Sequence, residues 1–257
     1  MHWITFLIAE DLLPKIAILM TTFLRNELAN ITIKTILPQL SEDCILLIAD
    51  QNKPEQQLIL DPNWKHIFYY SLPYDCGLSF ARNYLVDRAF EMNVPYCLLI
   101  ADSIQFLQVY DFKPFIEFLE EKPERGLVGF DLLKKKCPWE YNMKLTESGI
   151  KFSHSDKTIE FNGIIFLKCD ICTNVFLAKT NTLLNLWDNE QKLAEHELAF
   201  FEYKKRGYEV HWTDSIQLKR YALQTEEYTI CRKRWKNYKD LAKRKLGIDG
   251  WIILPKN

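Results

Sequence analysis

Four short runs of almost uninterrupted apolar residues set the limits on what this chain can become. They are Lys15-Ile-Ala-Ile-Leu-Met20, Cys44-Ile-Leu-Leu-Ile-Ala49, His66-Ile-Phe-Tyr-Tyr70 and Tyr96-Cys-Leu-Leu-Ile100. Each has strand length and none alternates apolar with polar, so each reads as a strand buried on both faces. Helical patterns separate them. Asn26 reads as the N-cap of a helix over 27–38, and Leu78, Ala81, Leu85 and Ala89 give Leu78–Glu91 one apolar side. Buried strands alternating with helices imply an α/β fold with a mainly parallel central sheet flanked by helices. Ligands of such sheets bind beyond the carboxyl ends of the strands. The four ends here carry Thr21, Thr22 and Arg25, then Asp50, then Asp75–Ser79, then Asp102. Together they point to a nucleotide pocket.

Past residue 112 the rhythm changes. A helix over 113–121, a strand at Gly126–Phe130, a mixed polar stretch at 134–162 and strands at Ile164–Lys168 and Asn174–Ala178 suggest an added small antiparallel sheet with loops. A helix over 195–206 ends at Gly207 in the C′ position, and Tyr208–Trp212 is one more strand. Tyr228–Leu246 reads as a basic helix with Trp235, Tyr238, Leu241 and Ala242 along one side. No repeat or linker divides the chain. It reads as a single domain with a nucleotide-binding half over 15–110, an acceptor half over 111–222 and a C-terminal helical extension over 223–257.

A net charge of −1 in 257 residues argues against nucleic acid as a partner. The apolar start Met1–Ala9 is cut by Glu10 and Asp11, is too short to span a bilayer and lacks the basic flank of a signal peptide. The expected location is therefore cytoplasmic, with the basic helix (Arg232, Lys233, Arg234, Lys236, Lys239, Lys243, Arg244, Lys245) free to rest on the membrane inner face. Cys44, Cys97 and Cys231 lie in apolar runs and read as buried thiols of a reducing compartment. Cys169-x-x-Cys172 has no second Cys or His pair to complete a zinc site. His2, His66, His154 and His211 lack ligand-like spacing.

The ordered motifs resemble family-2-like glycosyltransferases of the GT-A (Rossmann-like) fold, over about residues 15–215. Met20–Arg25 is similar to that family's first-strand loop, and Asp50 to the acid that follows its second strand. Gly77-Leu-Ser-Phe-Ala-Arg-Asn83 is similar to its Gly-x-Ser-x-Ala-Arg-Asn. Leu98-Leu-Ile-Ala-Asp102-Ser103 falls where the family has its acidic metal-binding cluster. Asn174–Lys179, Trp187-Asp188 and Glu195-His196-Glu197 resemble acceptor-side motifs, nearest the "WD…EH" form of N-acetylgalactosaminyltransferase-like members.

The resemblance implies transfer of a sugar from a nucleotide-diphosphate-sugar donor, commonly UDP-linked, to a hydroxyl of a glycan or lipid-linked acceptor. It implies inversion at the sugar and a place in surface polysaccharide or glycan biosynthesis. Thr22, Arg25, Asp50, Gly77, Arg82 and Asp102 would hold the nucleotide, and Asn174, Trp187 and Asp188 the acceptor. Glu195 or His196 would be the catalytic base, with Glu197 third. The family norm is Mn2+ or Mg2+, but the cluster is reduced here to Ala101-Asp102-Ser103. Two readings follow: Asp102 still holds the metal, or Lys219 and Arg220 supply the charge at the diphosphate without one. A catalytically degenerate binding protein and a nucleotidyltransferase are the alternatives.

Overall fold

The computed structural model describes residues 15–133, 141–221 and 225–253. The expectations for Met1–Ala9 and for the start of the 134–162 stretch fall partly or wholly outside them. The first half runs β1 (Ile16–Thr22), α1 (Asn26–Ile36), β2 (Cys44–Asp50), β3 (Ile67–Ser71), α2 (Leu78–Glu91) and β4 (Tyr96–Ala101). These four strands lie parallel in the order β3-β2-β1-β4. Every residue of β1 and β2 is buried, which is why their sequences carry no polar alternation. Alternate side chains still divide between two layers. Ala17 and Leu19 join a core built with Ala81, Leu85 and Ala89 of α2, whereas Ile16, Ile18 and Met20 join one built with Ala29, Ile33 and Ile36 of α1.

The remainder comprises β5 (Ile104–Gln105), α3 (Lys113–Glu120), β6 (Arg125–Leu133), β7 (Tyr141–Thr146), β8 (Gly149–His154), β9 (Thr158–Phe161), β10 (Ile164–Cys169) and β11 (Phe176–Lys179). After these come α4 (His196–Lys205), β12 (Glu209–Arg220), α5 (Glu226–Lys233), α6 (Trp235–Leu246) and β13 (Ile252–Ile253). The large sheet continues past β4 through β11, β6, β12, β10 and β9. β11 runs antiparallel to both its neighbours, while β12 returns parallel to β6. The small second sheet is the antiparallel β7–β8 hairpin, to which β13 adds a parallel strand. Among the described residues no helix is long and apolar enough to cross a membrane.

Four local expectations change. β3, expected to be buried on both faces, is the edge strand of the large sheet and is only partly buried, with Phe68 exposed. Asn26 is the first helical residue rather than the cap, because its side chain is spent on Gln56 O and on Asn52. The strand expected at Tyr208–Trp212 extends to Arg220, with an irregularity between Thr213 and Gln217. The single basic helix is two, broken at Arg234. There both the backbone N–H and Nε of Arg234 donate to Cys231 O (3.2 Å each), closing the last turn of α5. Gly207 does follow the last turn of α4, at φ +85°.

His211 of β12 is a fully buried core residue edge-on to Phe118. Burial, helped by Arg125 and Lys168, pushes its imidazole down to about 3 and keeps it neutral. Burial pushes the Cys44 and Cys97 thiols up to about 12. Cys231 departs from the buried reading and lines the cleft described next.

Candidate active site

Parallel pairing aligns the carboxyl ends of the central strands: Thr22 sits opposite Asp50, and Thr21 opposite Ala101. Beyond them opens a cleft of about 410 Å³. Its floor is a three-residue cluster. The Asp102 carboxylate, 1% exposed, accepts from Thr22 Oγ1 (3.2 Å) through one oxygen and from Arg25 Nη2 through the other. The Tyr228 ring lies against Arg25, 4.1 Å from its guanidinium carbon to the ring centroid. Burial pushes the Asp102 carboxyl up to about 6, even though Arg25 and Thr22 favour its ionised form.

One wall joins the start of α2 to a segment more than 100 residues away. Gly77 N donates to Gln51 Oε1 (2.8 Å), and Leu78 N to Lys192 O (3.1 Å). Ser79 Oγ donates to Gln191 O (2.6 Å). Arg82 donates to the Glu195 carboxylate (2.6 Å), and Asn83 holds both the carbonyl and the N–H of Trp187 (2.6 and 3.2 Å). Gly77 stands at φ +97°, and a Cβ there would lie 2.7 Å from Lys192 Cα, so only glycine allows the two segments to meet. Thus Gly77–Asn83 and the stretch from Trp187 to Glu195 form one physical unit.

At the start of α4 three side chains face the cleft in succession. Burial would raise the Glu195 carboxyl, but Arg82 more than offsets it and holds it below the ordinary range. His196 Nδ1 lies 2.6 Å from Asn174 Oδ1. That oxygen can only accept, so Nδ1 carries the proton, and in the neutral ring Nε2 bears the lone pair. Burial, reinforced by the neighbouring Glu195, pushes Glu197 up to about 7.

The opposite rim comes from α5 and the first residue of α6: Tyr228, Cys231, Arg232, Arg234 and Trp235 line the cleft. Arg234 holds Asp75 with two bonds (2.6 and 2.9 Å), and Lys192 donates to the Asp75 carbonyl (2.5 Å). Although burial works the other way, Arg234 and Lys192 hold the Asp75 carboxyl below its usual range. Among the described residues no carboxylate pairs with Arg220 or Arg232, which also line the cleft.

Of the residues singled out in the sequence, the fold brings Thr22, Arg25, Gly77, Arg82, Asp102, Asn174, Glu195, His196 and Arg220 around one cleft. Four lie elsewhere. Asp50 is wholly buried, its carboxylate accepting from Asn52 N, Leu58 N and the Tyr69 hydroxyl (2.8, 2.7 and 2.8 Å), and it organises the loop after β2. Trp187 is a core side chain with Arg82 5.6 Å from its ring. Asp188 caps the Glu190 N–H (3.0 Å) and pairs with Lys245. Lys219 lies 4.4 Å over the Tyr221 ring. Within the basic stretch, Arg234 and Lys245 are spent on acids of the domain and Lys239 lies over the Trp235 and Trp251 rings, while Arg232, Lys233, Lys236 and Arg244 are exposed. Sequence reasoning missed Tyr228, Arg232 and Trp235 as cleft residues; the aromatics spaced through a basic stretch were the available signal.

The residues present do not fit a divalent-metal site. Hard cations take several oxygen ligands, yet among the described residues no three His, Cys, Asp or Glu side chains gather as a set that could hold one. Asp102, the acid at the relevant strand end, is already ion-paired with Arg25 through one oxygen and accepts from Thr22 through the other.

The sequence matches no family model and no curated protein. Solved structures do resemble it in shape. S. aureus TarS 1-349 superposes with a TM-score of 0.55 at 10% identity, over 80% of this chain and 60% of that one. The mannosyltransferase PcManGT from Pyrobaculum calidifontis, in complex with GDP-Man and Mn2+, gives 0.57 at 12% identity, over 90% of this chain and 65% of that one. A longer S. aureus TarS structure gives 0.54 at 10% identity, and this chain spans 43% of its length. The chain is thus shorter than each of these relatives. What the likenesses show is the architecture: this chain has the GT-A fold of glycosyltransferases.

Proposed function

We propose that the protein is a glycosyltransferase that moves a sugar from a nucleoside-diphosphate-sugar to a hydroxyl of a glycan or lipid-linked acceptor, with inversion. The observation that carries this reading is His196. Asn174 fixes its proton on Nδ1, and the ring faces the cleft whose floor is the Thr22–Arg25–Asp102 cluster at the ends of parallel strands. A UDP-linked donor is the reading that the sequence motifs favour, while the GDP-Man complex of the Pyrobaculum relative makes GDP the other nucleoside diphosphate to try.

In this reading the acceptor oxygen attacks the anomeric carbon as the bond from that carbon to the diphosphate oxygen breaks. The bonding pair leaves with the nucleoside diphosphate, and the hydroxyl proton passes to His196 Nε2. Glu195 is ion-paired with Arg82 and serves to fix the start of α4, and hence the position of His196. Asn174 orients the imidazole instead of holding the acceptor.

A panel of UDP- and GDP-sugars tests the reading. Binding of one donor raises the unfolding temperature in proportion to the logarithm of its concentration over its affinity. With that donor and a glycan acceptor, nucleoside diphosphate is released and NMR shows the anomeric configuration inverted. A panel in which no nucleotide sugar shifts stability overturns the reading.

A further inference from the structure

The sequence resemblance implies a metal ion that neutralises a departing diphosphate, and one structural relative was solved in complex with GDP-Man and Mn2+. In this chain the acid at the corresponding strand end already carries a cation of its own. Arg25 rises from the loop after β1, donates to Asp102 and is covered by the Tyr228 ring. Tyr228 also has Arg232 nearby, 6.0 Å from guanidinium carbon to ring centroid. Arg220 reaches the same cleft from the end of β12, where its backbone pairs with Ile104, two residues past Asp102. Three arginines from three separate segments therefore line the cleft at this strand end. Two of them, Arg220 and Arg232, are exposed and pair with no carboxylate among the described residues.

We propose that this cleft binds a nucleoside diphosphate without a divalent cation, with Arg25 in the metal's place on Asp102 and Arg220 and Arg232 holding the phosphate oxygens. The proposal rests on the glycosyltransferase reading and specifies how the donor's charge is held. Planar guanidinium forks match phosphate oxygens in pairs. A permanent protein cation also needs no metal to be recruited or released in each cycle. The C-terminal helices then belong to the donor site, because α5 supplies both Arg232 and the ring that covers Arg25. That role accounts for basic residues that the chain's near-zero net charge leaves unexplained.

Calorimetric titration of the full chain with UDP and with GDP, in EDTA and in Mn2+, tests the proposal. One of them is expected to bind equally in both media. Arg220→Ala and Arg232→Ala, both at exposed positions and checked for an unchanged circular dichroism spectrum, each weaken that binding roughly tenfold in both media. Arg25→Ala uncovers Asp102. Its binding is weakened in EDTA and partly recovered in Mn2+, a gain of metal response that a purely structural role for Arg25 would not give. Wild-type binding that vanishes in EDTA and returns with Mn2+ overturns this proposal and leaves the transferase reading standing. Absence of nucleotide binding in both media overturns that reading as well.

Discussion

Arg82 donates to Glu195 across 2.6 Å, between side chains that are each 6% exposed. The two residues are 113 positions apart, and their pairing locks the first turn of α4 against the middle of α2. Removing one member leaves the other charged and buried, which costs about 3–5 kcal/mol. Arg82→Met and Glu195→Leu are each expected to lower the free energy of denaturant unfolding by that order. The double variant should lose less than the worse single, because no charge is then stranded.

His196→Ala should lower kcat by roughly 10² to 10⁴, the usual worth of a positioned base. Asn174→Asp places a carboxylate on Nδ1 and favours the imidazolium, so the acid limb of the kcat/KM profile moves to higher pH. A profile unchanged by Asn174→Asp would separate Asn174 from the base.

The buried imidazole of His211 leaves a signature in stability against pH. Its folded value is about 3, against 6.5 for the free side chain. Between those values the unfolded chain binds a proton that the folded one refuses, so this group makes stability fall as pH falls. Glu197 and Asp102, raised to about 7 and about 6, act in the opposite sense: their contribution is present at low pH and lost as pH rises through those values. Glu209 lies 3.6 Å from the ring but is itself engaged by Lys168. His211→Phe removes only the first slope. Between about pH 6.5 and about pH 4.5 it should lose roughly 2 kcal/mol less than the wild type, read from unfolding titrations at the two values.

Gly77→Ala should destabilise the protein by roughly 3 kcal/mol, from a strained left-handed backbone and a collision with Lys192. Donor binding should weaken with it, because the wall formed by α2 and residues 187–195 separates. Thermal unfolding and nucleotide titration of the same sample check both effects.

Arg234→Ala removes two bonds to Asp75. The arginine is partly exposed, so global stability should change by no more than about 1 kcal/mol. Local opening is another matter. Amide hydrogen exchange across α5 should quicken while the β1 and β2 amides stay protected.

Local rules made much of this protein legible. The continuous apolar runs at 15–20, 44–49 and 96–100 required strands buried on both faces, and chain alternation required them to be parallel. The strand ends that bear Thr22 and Asp102 were visible for the same reason, as was the helix stop at Gly207. The second sheet was foreseen only in outline, because its third strand comes from the C-terminal segment.

What the sequence could not decide is which polar residue at a strand end meets the cleft. Asp50 and Asp102 look alike in sequence, each following an apolar strand. Asp50 is consumed by Leu58 N and Tyr69 from its own loop and the next strand, whereas Asp102 is claimed by an arginine 77 positions earlier. Likewise the basic tail has the periodicity of one solvated helix, yet Arg234 breaks it and clamps Asp75, 159 positions away. Periodicity and propensity act within a few turns of chain, so they determined the elements of this protein. The partners of its charges are set by packing between segments about 80 to 160 residues apart, and only the tertiary structure fixes those.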